Sequence, residues 1–352
     1  MIVKNESTCI LRCLDSVKDY IDYWVICDTG STDNTREIIK EFFETHNIKG
    51  ELHQHEWKDF GHNRSLAVKM SKNKADYTLL MDADFILVVK DPNFKEELKK
   101  MDKDAYLIKY EGSLDYRQSL CVRTSLDWHY VGVTHEYITC KTEKNRGNFD
   151  GFTFLHYADG GCRSDKFERD IKLLSSELNK DPSNVRYNFY LAQSYKDTSQ
   201  FDKAIEYYNK RIEFGGWYEE VYYSMYQRGL CKVKRGDDFW DCIGDLYQSY
   251  IYHPQRLEGL YELVKFCRTT GKYLLGYRLG KNAINNEYPD KDALFILAEI
   301  HKWMFLDEMS ICAYYAGKKE KATEIVLKIL NEERAPPQFR DRFYKHLTLF
   351  KN

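Results

Sequence analysis

Near residue 165 the chain stops alternating strand with helix and turns helical, and this change constrains its fold more than any other feature. Before that point, short β-branched runs alternate with amphipathic stretches. Tyr23-Trp24-Val25-Ile26-Cys27 and Tyr77-Thr78-Leu79-Leu80-Met81 read as strands, Gly50 to Trp57 as a third, and Met1 to Val3 as a very short apolar start. Ile10, Leu11, Leu14 and Val17 recur at helical spacing, as do Ile38, Ile39, Phe42 and Phe43, and Ser65 to Lys72 reads as helix. Strand alternating with helix predicts an α/β domain whose ligands sit at the carboxyl ends of its strands. After that point strand-like runs vanish. Tyr187, Leu191, Ala192 and Tyr195, then Phe201, Ala204, Tyr207 and Tyr208, describe two packed helices joined by a short turn. Related strings recur near Tyr223 to Leu230, Leu260 to Phe266 and Leu294 to Ile300, at a period of roughly 34 residues. The expected organisation is an α/β domain over 1–168 and an all-α repeat domain over 169–352.

Composition narrows the function classes. Lys and Arg number 53 against 55 Asp and Glu, a formal charge of −2, which argues against a general binder of nucleic acid. No run approaches the ~18 apolar residues of a membrane span, and Met1 to Glu6 lacks the apolar core of a signal peptide. The ten cysteines form no C-x-x-C pair, so reduced thiols in a cytoplasmic setting are expected. The 28 tyrosines are put down to biased composition before any stacking role.

Two polar strings follow strand-like runs. Asp82-Ala83-Asp84 presents carboxylates at i and i+2, which can share one hard divalent cation that also bridges phosphate oxygens. Asp28-Thr29-Gly30-Ser31-Thr32-Asp33 carries a glycine for a tight turn before a helix N-terminus that favours an anion. A helix cap alone would need only one of those residues. No Gly-x-Ser-x-Gly elbow and no phosphate-binding Gly-x-x-x-x-Gly-Lys loop is present; Gly276 to Lys281 matches the latter only superficially.

Four strings in order, Met1-Ile2-Val3-Lys4-Asn5-Glu6, Asp28 to Asp33, Gly61-His62-Asn63-Arg64 and Met81-Asp82-Ala83-Asp84, resemble glycosyltransferase family 2. With His156-Tyr157-Ala158-Asp159-Gly160 and the residues up to Phe167, they resemble the subgroup with tetratricopeptide repeats behind the catalytic domain. The resemblance implies a GT-A (nucleotide-diphospho-sugar transferase) fold and an inverting transfer of one sugar from a UDP-sugar. It implies that Ile2 and Val3 line the uracil pocket and that Asp28 bonds the base or ribose. Asn63 and Arg64 would lie near the nucleotide, and Asp82 would contact ribose or the metal shell. Asp84 would bind Mn²⁺ (or Mg²⁺), with His156 completing a mixed oxygen and nitrogen sphere. Inversion needs a base to deprotonate the acceptor. The common Glu-Asp pair is absent, so Glu136 is expected to serve, with His135 as competitor and, as the alternative, Glu136 orienting His135 or pairing with a cation. Arg163 and Lys166 would neutralise the departing diphosphate, or simply begin a charged helix.

The family's first strand begins a few residues earlier than Met1, so a short first strand, a fragment or a misplaced start is expected. With no Gln-x-x-Arg-Trp string and no span, single-sugar transfer is expected rather than processive synthesis. The repeats suggest a peptide or protein acceptor or partner, with a glycan also open. Two other readings carry different chemistry: a scaffold with a relic front domain, and a UDP-sugar hydrolase using the same metal site.

Overall fold

The computed structural model describes residues 1–111, 117–160 and 166–351. It forms two compact units, Met1–Ser176 and Glu177–Asn352. The expected boundary at 168/169 falls inside a continuous helix, Lys166–Leu178.

The first unit alternates as its sequence predicts. Strand β1 (Ile2–Val3), helix α1 (Ile10–Val17), β2 (Trp24–Asp28), α2 (Thr35–Thr45), β3 (Gly50–Gln54) and α3 (Phe60–Met70) follow one another. β1, β2 and β3 form a parallel sheet in that order. α1 buries Ile10, Leu14 and Val17 as their spacing predicts, together with Cys13, while Leu11 of the expected face is exposed. α2 buries Ile39, Phe42 and Phe43, and Phe43 stacks on Trp24 of β2. Burying side chains of this kind stabilises the unit by about 1.5–3 kcal/mol each.

The sheet that follows is mixed. It contains β4 (Tyr77–Leu79), β5 (Phe85–Val89), β6 (Ala105–Tyr110), β7 (Arg117–Arg123) and, after two short strands, β10 (Arg146–His156). Between β5 and β6 lies the short helix α4 (Phe94–Leu98). The strand order is β4-β7-β6-β10-β5, with only β6 and β10 parallel. The short strands β8 (His129–Val131) and β9 (Tyr137–Thr139) pair as a hairpin. β4 ends at Leu79, two residues before the expected end at Met81, so Asp82-Ala83-Asp84 occupies the link into β5. Helix α5 (Lys166–Leu178) follows.

The second unit is helical. It begins with α6 (Val185–Asp197), α7 (Phe201–Phe214), α8 (Tyr218–Arg235), α9 (Phe239–Tyr252), α10 (Glu258–Thr269) and α11 (Tyr273–Gly280). It closes with α12 (Phe305–Tyr315), α13 (Lys319–Asn331) and α14 (Arg340–Lys351). Consecutive helices pack in pairs, a tetratricopeptide-like arrangement. The expected repeat at Leu294 to Ile300 is not regular: residues 284–297 hold no α-helix, and a π-helical turn at Ile300–Met304 leads into α12. Buried charge holds this segment instead. The Arg256 guanidinium bonds Glu258 and donates to the Leu294 carbonyl at 3.0 Å, while Glu219 accepts the Ala293 and Leu294 amides at 2.8 and 2.7 Å. Nine cysteines among the described residues are buried free thiols. No described helix is long and apolar enough to cross a membrane.

Candidate active site

The first polar string knits to the segment after β1. The Asn5 amide donates to Ser31 Oγ at 3.0 Å, and Asn5 Oδ1 accepts the Thr32 amide at 2.8 Å. The Glu6 amide donates to Thr35 Oγ1 at 2.8 Å and the Ser7 amide to Asp33 Oδ2 at 3.1 Å. These bonds account for the density of polar groups that a simple cap leaves unexplained. Burial works against charge on Asp33, but the bonds from Thr35 and Ser7 outweigh it and hold the carboxyl down at about 2. Asp28 ends β2 with its carboxylate 2% exposed, accepting the Gly30 and Ser31 amides at 3.1 Å each. Gly30 takes φ +104°, a turn that favours glycine. Ile2 and Val3 pair with Cys27 and Asp28, so they flank this turn. Asn63 is buried and committed locally: its Nδ2 donates to the Glu56 carbonyl at 2.9 Å and its Oδ1 accepts the Lys58 amide at 3.0 Å.

The second string meets two partners. Arg64 forks onto Asp82, with Nη1 to Oδ1 at 2.6 Å and Nη2 to Oδ2 at 2.9 Å. Its Nε stands 2.7 Å from Glu136 Oε1 without hydrogen-bond alignment, so that contact is an ion pair. Burial works against the guanidinium charge, but Asp82 and Glu136 together raise its pKa well above the ordinary value. Asp84 meets His156 instead. The β10–β5 register places His156 opposite Phe85, and its Nε2 lies 3.1 Å from Asp84 Oδ2.

Gly160 closes on the same carboxylates. A Cβ there would stand 3.2 Å from Glu6 Oε2 and 3.4 Å from Asp84 Oδ2. Arg12 anchors the loop with a fork onto Asp159 at 2.9 and 2.6 Å and lies 4.0 Å over the Tyr157 ring. Burial and the neighbouring Glu6 push the Cys9 thiol up to about 12, so it acts as a neutral donor to Glu6 Oε2 at 3.2 Å.

Glu136 and His135 lie beyond Gly132, in the turn between β8 and β9. This turn packs on the start of α3, where the Phe60 amide donates to the Val133 carbonyl at 3.1 Å. A Cβ on Gly61 would stand 2.2 Å from the Gly132 carbonyl oxygen. Gly61→Ala should therefore cost about 1–3 kcal/mol and displace the 132–136 turn. Urea unfolding checks this, and an unchanged midpoint would mean that the turn yields freely.

The structure thus brings Arg64, Asp82 and Glu136 together, and separately Asp84 and His156. Asp82 and Asp84 are two residues apart in sequence but engage different partners. Lys166 is exposed at the start of α5, 5.7 Å from the Phe167 ring, and Arg163 lies outside the described residues. Sequence reading gave no role to Glu6, Arg12, Asp159 or Asp170. Glu6 stands in a quoted motif, but that Gly160 faces both it and Asp84 is a long-range arrangement that no spacing announces. A cavity of about 590 Å³, lined by Val17, Tyr20, Val25, Tyr77 and Leu79, reaches Ile2, Arg64 and Met81 but not the Asp84–His156 pair.

Residues 1–164 match the family model Glycosyl transferase family 2. The SPbeta prophage-derived glycosyltransferase SunS of Bacillus subtilis (strain 168) is 28% identical over 238 residues, covering 60% of this chain and 52% of that protein. This chain therefore spans about half the length of SunS. A TPR repeat-containing protein of Synechococcus elongatus is 30% identical over 307 residues, 81% of this chain and 74% of that one. A crystal structure of MamA covers 47% of this chain and 88% of its own at 18% identity and a TM-score of 0.38, a likeness too small to argue from. Residues 1–164 are thus a glycosyl transferase family 2 domain, and a tetratricopeptide-like helical unit follows it.

Proposed function

We propose that this chain transfers one sugar from a nucleotide-sugar donor, a UDP-sugar, to an acceptor hydroxyl with inversion. Family membership supports the sugar transfer, and the Asp84–His156 pair, 3.1 Å apart at a strand end, is the observation that carries the reading. Two ligands on one ion of Mn²⁺ or Mg²⁺ size stand about 3 Å apart at their ~2.1 Å bond lengths, so the pair fits a divalent cation. Asp82 does not fit as a third ligand while both its oxygens lie on Arg64. Among the described residues no group of three or more His, Cys, Asp or Glu gathers to hold a metal. The cation, when bound, neutralises charge that develops on the departing diphosphate.

The chain's own groups supply the rest. The turn after Asp28 sets the nucleotide end beside Ile2 and Val3. The Arg12–Asp159 fork and Gly160 close the chain over Glu6 and Asp84, where any side chain at 160 would crowd the carboxylates. Arg64 holds Asp82 and Glu136 in one place, fixing the turn that carries His135. The helical unit would hold a peptide or protein acceptor. Exposed Trp217, Tyr218, Trp240 and Tyr252 support that role.

The test is product analysis. UDP-sugars incubated with the full chain and Mn²⁺ should release UDP, with the sugar recovered on an added acceptor in inverted configuration. Release of free sugar alone, in the presence of acceptors, would make the chain a hydrolase.

A further inference from the structure

Residues 284–297 leave the helical repeat, and the stretch from Asp292 to Leu297 lies across the N-terminal ends of α8 and α10. Side chains hold its main chain there. Glu219 of α8 accepts the Ala293 and Leu294 amides at 2.8 and 2.7 Å, and Glu258 of α10 accepts the Leu297 amide at 3.2 Å. Arg256, in the turn before α10, donates to the Leu294 and Phe295 carbonyls at 3.0 and 3.4 Å. Five main-chain groups of residues 293–297 are thus read by three charged side chains, each at most 5% exposed. Asp292 adds a side-chain anchor: it accepts from Tyr218 Oη at 2.9 Å and lies 2.7 Å from His253 Nε2.

The face under this stretch is organised by bonds of its own. Arg256 forks onto Glu258 at 2.9–3.1 Å, and Tyr222 Oη donates to Glu258 at 3.0 Å. The stretch, by contrast, buries little. Within 284–297 only Pro289 and Leu294 are buried, while Tyr288, Phe295 and Leu297 are exposed. Phe295 takes φ +49°, a left-handed conformation that costs a residue with a side chain. A segment with so few buried apolar groups opens locally without unfolding its neighbours. Parting it from the face also returns buried carboxylates to water, which offsets much of the lost bonding.

We propose that the α8–α10 face is a groove that binds an extended peptide by its main chain, and that residues 292–297 are its resident occupant, a strap that a peptide of like chemistry displaces. The partner that fits carries an acidic residue for Tyr218 and His253, followed by a small and an aliphatic residue whose amides are free to meet Glu219. Proline does not fit at either of those two positions, because it has no amide proton. Tethering holds the strap at an effective concentration of about a millimolar, so the groove is closed by default and admits a partner that binds tighter. This binding needs no sugar donor and stands apart from the transferase reaction.

Hydrogen exchange of the full chain and a fluorescent synthetic peptide of residues 289–299 test this. In wild type the Ala293, Leu294 and Leu297 amides should exchange faster than those inside α8 and α10. Asp292→Asn removes the charge beside His253 and Arg256 but keeps an acceptor for Tyr218, so it loosens the strap and leaves the groove intact. The peptide, followed by fluorescence polarisation, should bind that variant at least ~10-fold more tightly than wild type, since a site that is open more often is available more often. The same peptide N-methylated at its Ala293 and Leu294 amides should bind at least ~10-fold more weakly than the plain one, because Glu219 then meets no donor. Exchange at 293–297 as slow as in α8 and α10 would make the segment a fixed part of the fold and overturn the proposal. Equal affinity of the two peptides, equal affinity of wild type and Asp292→Asn, or no peptide binding to either form would overturn it as well. The exchange and the comparison of peptides need only the wild-type chain, so they decide the matter without the variant.

Discussion

Arg64→Ala should destabilise the first unit by about 3 kcal/mol, because it leaves the Asp82 and Glu136 carboxylates without their shared cation. Breaking a fully buried pair costs roughly 3–5 kcal/mol. The lower figure applies because Asp82 keeps a third of its side chain in solvent, where water screens the loss. Arg64→Lys should fall between the two, since one ammonium cannot fork onto Asp82 and reach Glu136 as well. Urea unfolding measures the loss, and hydrogen exchange locates it. Faster exchange should appear around residues 60–70 and 131–139 and leave the helices beyond residue 185 unchanged. A loss under about 1 kcal/mol would make the cluster an ordinary surface ion pair.

Asp84→Ala should weaken Mn²⁺-dependent binding of UDP by at least ~100-fold, more than the 10–100-fold seen when only an outer partner of a metal ligand is removed. The substitution also removes the Asp84–His156 contact, so urea unfolding of the variant should be measured beside its binding. Asp82→Ala makes the contrast. It should disturb Arg64 and the turn at 132–136 while leaving a measurable metal requirement. Equal effects from the two substitutions would mean that both carboxylates serve the cation, as the sequence motif alone suggests.

The parts of this account legible in the sequence are those whose causes are local. The apolar stripe of α1, the run into Asp28 and the glycine turn at Gly30 all follow from residues within a few positions of one another. The Asp84–His156 pair was expected from a family resemblance, but its geometry depends on the β10–β5 register, which pairs residues 71 apart in the chain. The ion pair between Arg64 and Glu136 and the approach of Asp170 to within 4.0 Å of His135 are long-range in the same sense. Each involves a side chain whose sequence neighbours carry no trace of its partner. The irregular segment at 284–297 failed as a repeat for a related reason. Its backbone is bonded by Arg256 and Glu219, so a buried ionic network overrides a helical pattern that the apolar positions alone support.

The central proposal is that the turn after Asp28 and the Asp84–His156 pair form a cation-assisted nucleotide site. Isothermal titration of UDP into the full chain, with and without Mn²⁺, tests it most directly. Saturable one-to-one binding that requires Mn²⁺ and is lost in Asp84→Ala is the predicted result. Binding that ignores the metal, or the absence of any binding in the wild-type chain, would contradict it.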